Sequence, residues 1–472
     1  MKIGRQCASR RWRVFLLIPL ILLVLWLTLP YDHPLRLAVR FNLNAAAATL
    51  PTHFKDSWWL SGQPAFPIAL PNDVAVVMKS GYGTKDRIAA WLEAHEGKAL
   101  DNLLIVGDFS TPPAKPYSYH GQKIPVHDLV ARMLETGSLP SGLVHSRLFK
   151  YSNMTTAISS GDTATARSLS KSFGWELDAL KVGSMPLLMS SNYLVLEMGM
   201  LTQKKFISGL ELCYQKMPDK SWYILADDDT YLLQPSLQRL LEHLDPSVSY
   251  YLGNAVGDYK GRFAHGGSSV ILSRSAIRDL FANPTVVSAA HLEALEETWG
   301  DKLVATTLIK IGIYLDERYT IFFNGEQPQA TKITPERFCA PIASFHGLAS
   351  SSDMLSVGKT FHNTSELVLW IDLWDIYGAP SFDSPVLEVG HKNWDYVGRL
   401  DEATISINDI ISAQSCSKIC RDRSEFCLAW TWDSTEQACH LSPWITLGDK
   451  ASGKSSGINI PRAKGLASAC RL

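Results

Sequence analysis

The sequence predicts an α/β body on a mainly parallel sheet, followed by a small disulfide-stapled module. Three observations predict it. Short apolar runs alternate with helical patterns from Asp73 onward. One run, Trp222 to Ala226, is unbroken by any polar residue, as suits a parallel strand buried on both faces. Four of the eight cysteines, Cys416, Cys420, Cys427 and Cys439, fall within 24 residues near the C-terminus.

The elements follow in order. Val14 to Leu29 is an uncharged stretch of sixteen residues, preceded by Lys2, Arg5, Arg10, Arg11 and Arg13. The basic flank predicts a cytosolic N-terminus and a lumenal remainder. With no small-residue cleavage site directly after it, the stretch reads as an uncleaved anchor rather than a signal peptide. It is short for a hydrocarbon core about 30 Å thick, which suits the thinner membranes early in the secretory pathway. Residues 31–70, with Ala45–Ala48, several prolines and Trp58-Trp59, read as a loose stem. Strands are expected at Val74–Met78, Leu103–Val106, Trp222–Ala226, Tyr250–Leu252 and Ser269–Leu272. Helices are expected at Lys85–Ala94, around Phe206–Met217, at Pro235–Leu244, at Ser275–Phe281 with Ser273 as cap, and at Leu303–Ile311. Turn-rich sequence at Ser381–His391 marks a boundary. The predicted organisation is a tail over 1–13, an anchor over 14–30, a stem over 31–70, the body over 71–385 and the module over 390–472.

Apolar residues make up 46% and charged residues 19% of the 472, with a net charge of -1, so the chain has a core and lacks the basic excess of a nucleic-acid binder. The cysteine cluster suits an oxidising lumen, where Asn153 and Asn363 lie in glycosylation sequons. Cys213–Cys339 is a further possible bridge, which leaves Cys470 unpaired or intermolecular.

The strongest chemical signal is Ser221-Trp-Tyr-Ile-Leu-Ala-Asp227-Asp228-Asp229. Three carboxylates end a buried strand, where open α/β sheets bind ligands. Their mutual repulsion is relieved by a cation, and hard divalent cations accept both carboxylate and diphosphate oxygens. A lone acidic triplet is more often a surface turn; the buried strand ahead of it favours the ligand site. Gly266-Gly267 precedes a strand and permits close approach of the backbone. Asp301 opens an apolar helix, as an N-cap or as a general base. His346, in Ser344-Phe-His-Gly347, is a metal-ligand candidate where the aspartates lie nearby.

Taken in order, these elements resemble the inverting β1,3-glycosyltransferase family that includes Fringe and the core-1 galactosyltransferases. The resemblance covers roughly Asp73 to Trp374. It rests on Val76-Val-Met-Lys79-Ser80-Gly81, Gly107-Asp108, the segment Trp175 to Lys181, the Asp227–Asp229 block, the Gly266-Gly267 block with Leu272-Ser-Arg274, and Phe345-His346. It implies a GT-A fold, a UDP-sugar donor, and Mn²⁺ or another divalent cation. It implies Asp229 and His346 as direct metal ligands with Asp227 in the metal set. Lys79, Ser80, Asp108, Asp227, Asp228, Gly266 and Gly267 become donor-site positions. Asp301 becomes the catalytic base, with Glu297 as fallback, because Gly300 stands where the family carries an acid. His265 replaces the family's small residue before the glycine pair. The implied setting is the Golgi or ER membrane, with the catalytic part in the lumen.

Cys416-x3-Cys420-x6-Cys427-Leu-Ala-Trp-Thr-Trp and Cys439-His-Leu resemble a PAN/Apple domain over about Trp394 to Cys470. Four cysteines allow three pairings; the resemblance implies Cys416–Cys439 and Cys420–Cys427. Trp430, Trp432 and Trp444 fit a small core better than a sugar-stacking surface, although such domains bind protein or carbohydrate. The competing readings are a non-catalytic lumenal glycan-binding or adhesion protein, and a metal-dependent phosphate-ester hydrolase. The hydrolase needs more metal ligands than the sequence offers.

Overall fold

The computed structural model describes residues 26–49, 60–97, 100–139, 145–179, 205–295, 297 and 299–470. Residues 14–25 of the expected anchor lie outside them, as do Trp58-Trp59 and residues 180–204. Among the described residues no helix is long and apolar enough to cross a membrane. Where a loose stem was expected, the chain forms helix α1, Pro34–Thr49, with proline at its start.

The body is a six-stranded sheet: β1 Val74–Lys79, β2 Leu103–Gly107, β3 Val126–Asp128, β4 Trp222–Asp227, β5 Tyr251–Gly253 and β6 Val270–Ser273, in the spatial order β3-β2-β1-β4-β6-β5. Strands β3, β2, β1 and β4 run parallel, and β6 is antiparallel to both its neighbours. The apolar runs have a direct cause. Alternate residues of β1 enter different cores: Val74, Val76 and Met78 one, Ala75 and Val77 the other. Strand β4 repeats this, with Trp222, Ile224 and Ala226 against Tyr223 and Leu225. A strand buried on both faces has no polar position. Cutting Ile224, which is fully buried, back to alanine would cost about 2–5 kcal/mol.

Helices cover both faces of the sheet, among them α2 Asp86–Ala94, α3 Lys205–Lys216 and α4 Gly300–Lys310. Ser273 caps the helix Arg274–Phe281 through Ala276 N–H, as expected. Asp301 is not an N-cap: Trp299 holds that position, and Asp301 lies inside the first turn of α4.

The C-terminal module is a five-stranded antiparallel sheet of β7 His391–Asp395, β8 Ile405–Ile407, β9 Ala429–Asp433, β10 Ala438–Ser442 and β11 Asp449–Ile458, in the order β7-β11-β9-β10-β8. The helix Ala413–Asp422 is pinned to it by Cys416–Cys439 and Cys420–Cys427, the two bridges the resemblance implied. The remaining cysteines depart from expectation. Cys339 pairs with Cys470, and Cys213 is free and buried among the apolar residues of α3. The module is thereby fused to the body. Ile333 and Ile445 exchange backbone hydrogen bonds of 2.8 and 3.0 Å, and Trp374 packs 5.4 Å from Tyr396. Trp430 and Trp444 are core, and Trp432 is half-buried with its indole N–H on the Ile410 carbonyl.

Candidate active site

Parallel pairing decides where the charged residues meet. In register, Lys79 of β1 lies beside Val106 of β2 and Asp227 of β4. The carboxyl ends of three neighbouring strands therefore deliver Lys79, Asp108 and Asp227 to one edge, the position where such sheets bind ligands. The chain then turns through Asp228 and Asp229. A short ladder follows, in which Tyr231 pairs with Phe345. That register sets His346 beside Asp229, with Nε2 3.2 Å from Oδ1.

Asp227, Asp229 and His346 each offer a ligand atom, and these atoms lie within 4.8 Å of one another. The orientation of His346 favours a cation. Its Nδ1 lies 3.3 Å from the Gly325 carbonyl, which can only accept, so Nδ1 carries the proton. Nε2 then turns its lone pair toward Asp229, and two acceptors facing each other need a proton or a metal between them. Burial opposes a charge on His346, yet the Asp229 carboxylate outweighs it and raises the imidazole pKa to about 9. A glycine makes room for this ring: a Cβ on Gly267 would sit 2.2 Å from His346 Nε2. The donor set fits a hard or borderline divalent ion, with positions left for phosphate oxygens.

The other acidic residues divide by role. Asp227 pairs with Lys79 Nζ at 2.5 Å. Asp228 is held from three sides: Ser80 and Thr84 hydroxyls donate to Oδ2 at 2.7 and 2.6 Å, and Arg87 of α2 reaches Oδ1 at 3.2 Å. Burial lifts its pKa to about 6, against the pull of Arg87. Asp108, expected at the donor, has both oxygens occupied, by Tyr82 N–H at 2.8 Å and Ser170 Oγ at 3.0 Å. Asp108 and Asp228 thus shape the 80–84 loop at the strand ends. Arg87 also lies 3.4 Å from Asp229, a contact the sequence reading missed; its place just after the Lys79-Ser80-Gly81 turn was the available signal.

Asp301 is 2% exposed, and the Gly266 N–H donates to its Oδ2 at 2.9 Å. Burial raises its pKa, with the Gly266 hydrogen bond and Lys79 opposing. Successive residues therefore join the site: Gly266 touches the base candidate, and Gly267 underlies the His346 ring. The fallback base, Glu297, is half-buried beside Lys302 at 3.2 Å. His265 packs edge-on to His346 at 5.1 Å, with its Nδ1 2.8 Å from Ser268 Oγ. Burial lowers its pKa to about 4, so the ring is neutral at physiological pH. Asn153 and Asn363 are exposed, as glycan acceptors must be.

Comparison with known proteins gives two family matches. Residues 198–302 match the Fringe-like family, and residues 391–457 match the PAN domain. The chain carries a Fringe-like domain and a C-terminal PAN domain. A human protein, chondroitin sulfate glucuronyltransferase, is 33% identical over 86 residues, which is 17% of this chain and 11% of the length of that relative. The Fringe-like match includes Asp227–Asp229, Gly266-Gly267 and Asp301, and stops short of His346.

Proposed function

We propose that the protein is a metal-dependent inverting glycosyltransferase that moves a sugar from a UDP-sugar to a glycan or glycoprotein, most simply in β1,3 linkage. The observation that carries this reading is the Gly266-Gly267 turn, which contacts Asp301 through one residue and His346 through the next. One turn thereby holds both the candidate base and a residue of the candidate cation-binding set. The Fringe-like match and the transferase relative support the same reaction class.

In this reading Asp227, Asp229 and His346 hold Mn²⁺ or another divalent ion, which neutralises the diphosphate and its growing charge when bound. Lys79 steadies Asp227, and Asp228 with Ser80, Thr84 and Arg87 fixes the loop against which the nucleotide rests. The acceptor hydroxyl attacks the anomeric carbon from the side opposite UDP. Its proton passes to Asp301 as the bond from carbon to phosphate oxygen breaks, and UDP leaves with that electron pair. Positioning and electrostatics supply the rate, with no covalent intermediate. We place this activity in the lumen of the Golgi or ER, on a type II anchor over residues 14–30.

The test is UDP release from UDP-galactose, UDP-glucose, UDP-N-acetylglucosamine and UDP-glucuronate, with and without Mn²⁺. Metal-dependent release with one donor supports the transferase. Donor binding without release supports a lectin-like protein and overturns the proposal.

A further inference from the structure

Helix α1 does not merely space the body from its N-terminus. Leu37, Arg40, Phe41 and Asn44 fall on one face at helical spacing and line a cleft of about 340 Å³. The opposite wall is α4, through Lys302, Ala305, Thr306, Ile309 and Lys310. The loop Tyr259–Arg262 closes one side. The helix is seated by specific contacts. Asn44 donates to Glu317 at 2.8 Å, Tyr314 Oη donates to the Tyr31 carbonyl at 2.7 Å, and Arg40 lies 3.9 Å over the Tyr314 ring.

The position of the cleft relates it to the reaction. Lys302 lines one end, and it directly follows Asp301 in the first turn of α4. From there its lining continues along the helix for about two turns, to Lys310. Its size matches a ligand pocket, and its lining mixes aromatic faces with polar groups. Arg40, Lys260, Arg262, Lys302 and Lys310 stand against Asp32, Glu293, Glu297 and Glu317, five cations to four anions. Six of these nine are joined in three pairs, Arg262–Glu317, Lys302–Glu297 and Lys310–Glu293. Such a near-neutral set does not select a polyanion. A cation lies over one face of each ring, Arg40 on Tyr314, Lys260 on Tyr259 and Arg262 on Phe41, and these paired, hydrogen-bonding groups beside apolar rings suit a hydroxyl-rich ligand.

We propose that this cleft holds the inner sugar residues of an oligosaccharide acceptor, behind the residue whose hydroxyl reaches Asp301, and that α1 forms one wall of that site. The proposal rests on Asp301 as base. It assigns to the N-terminal helix a share in choosing the acceptor.

The test uses the full chain in detergent micelles, with the donor that gives UDP release. Acceptors are a p-nitrophenyl monosaccharide, a tetrasaccharide ending in the same residue, and an unglycosylated Ser/Thr peptide. Thr306→Trp fills the cleft, and Tyr314→Ala removes an aromatic wall. The expected result is a tetrasaccharide KM about tenfold higher in Thr306→Trp, roughly 1.4 kcal/mol of lost binding. The monosaccharide KM and UDP release without acceptor stay at wild-type values, which also shows that the variant is folded. Tyr314→Ala shifts the tetrasaccharide KM in the same direction by a few-fold. Equal KM for both saccharides in the wild type overturns the proposal, as does a shift confined to the peptide. A wild type that turns over donor normally but responds to Thr306→Trp equally with every acceptor also overturns it. A wild type that releases no UDP from any donor removes the transferase reading itself.

Discussion

The two parts of the molecule treat buried charge in opposite ways. In the PAN domain, Asp395 is 8% exposed and every partner is structural. Lys454 reaches Oδ2 at 3.0 Å, the Thr431 hydroxyl donates to Oδ1 at 2.7 Å, and the N–H groups of Val397 and Gly398 donate at 3.0 Å. One carboxylate meets one cation and three neutral donors, and the loop after β7 is fixed as a result. At the strand ends of the body Asp227, Asp228 and Asp229 are buried, as is Asp301 in the first turn of α4, and the three adjacent carboxylates meet Lys79, Arg87 and His346 among the described residues. Burying excess charge of one sign costs stability and organises no fold that neutral residues could not. That crowding of carboxylates is what marks the strand-end group as the candidate functional cluster.

Substitution should widen the contrast. Asp301→Asn is expected to lower kcat about 10²–10⁴-fold, the usual contribution of a positioned base, while the thermal midpoint stays near wild type. Asp395→Asn should do the reverse, with about 1–3 kcal/mol lost in urea denaturation and turnover of the folded fraction intact. If both variants lost stability and turnover together, the division would fail. The glycines give a second pair. Gly267→Ala drives a methyl into His346 Nε2 and is expected to weaken the activating metal about 10–100-fold, read from the Mn²⁺ dependence of UDP release. A Cβ on Gly457 would lie 2.3 Å from the Leu387 carbonyl, so Gly457→Ala should lower the midpoint and leave the metal dependence unchanged.

The pH response follows from Asp301. Burial disfavours its carboxylate and holds its pKa above the ordinary 3.8. A base works unprotonated, so kcat/KM should be full above that raised pKa and fall about tenfold per pH unit below it. The fall begins at a higher pH than for an exposed aspartate. The stability contribution of the same group has the opposite sign: it is present below the unfolded pKa and lost as pH rises through the folded one. A pH–rate profile with its acidic limb at or below 3.8 would count against Asp301.

The sheet was legible because burial on both faces leaves unbroken apolar runs, as at Trp222–Ala226. The acidic part of the candidate metal-ligand set stood out because the triplet ends such a run. The meeting of Asp229 and His346 was implied only by the family resemblance, since it depends on a two-residue ladder across more than a hundred residues of chain. The roles of Asp108 and Asp228 were also hidden: an acidic residue at a strand end reads the same whether it faces a ligand or a loop. Helix α1 was misread because alanines and a leading proline occur in stems and in helices alike. Cysteine pairing failed where separation is long, because only the fold brings residue 470 back to residue 339.

That last bridge makes the most discriminating small-effect test. Cys339–Cys470 closes a loop with a sequence separation of 131 residues and joins the PAN domain to the body. Its loss in Cys339→Ser should cost about 2–5 kcal/mol in a domain of this kind, read as a lower thermal midpoint under non-reducing conditions. Cys213→Ser should change neither the midpoint through a lost bridge nor the disulfide map, because that thiol is free and burial pushes its pKa up to about 12. Turnover below the midpoint should stay at wild-type values in Cys339→Ser, since the bridge lies in the shared core rather than among the strand ends. A drop in kcat at a temperature where the variant is folded would mean that the PAN domain positions the catalytic cleft, and that the two regions do not divide structure from function after all.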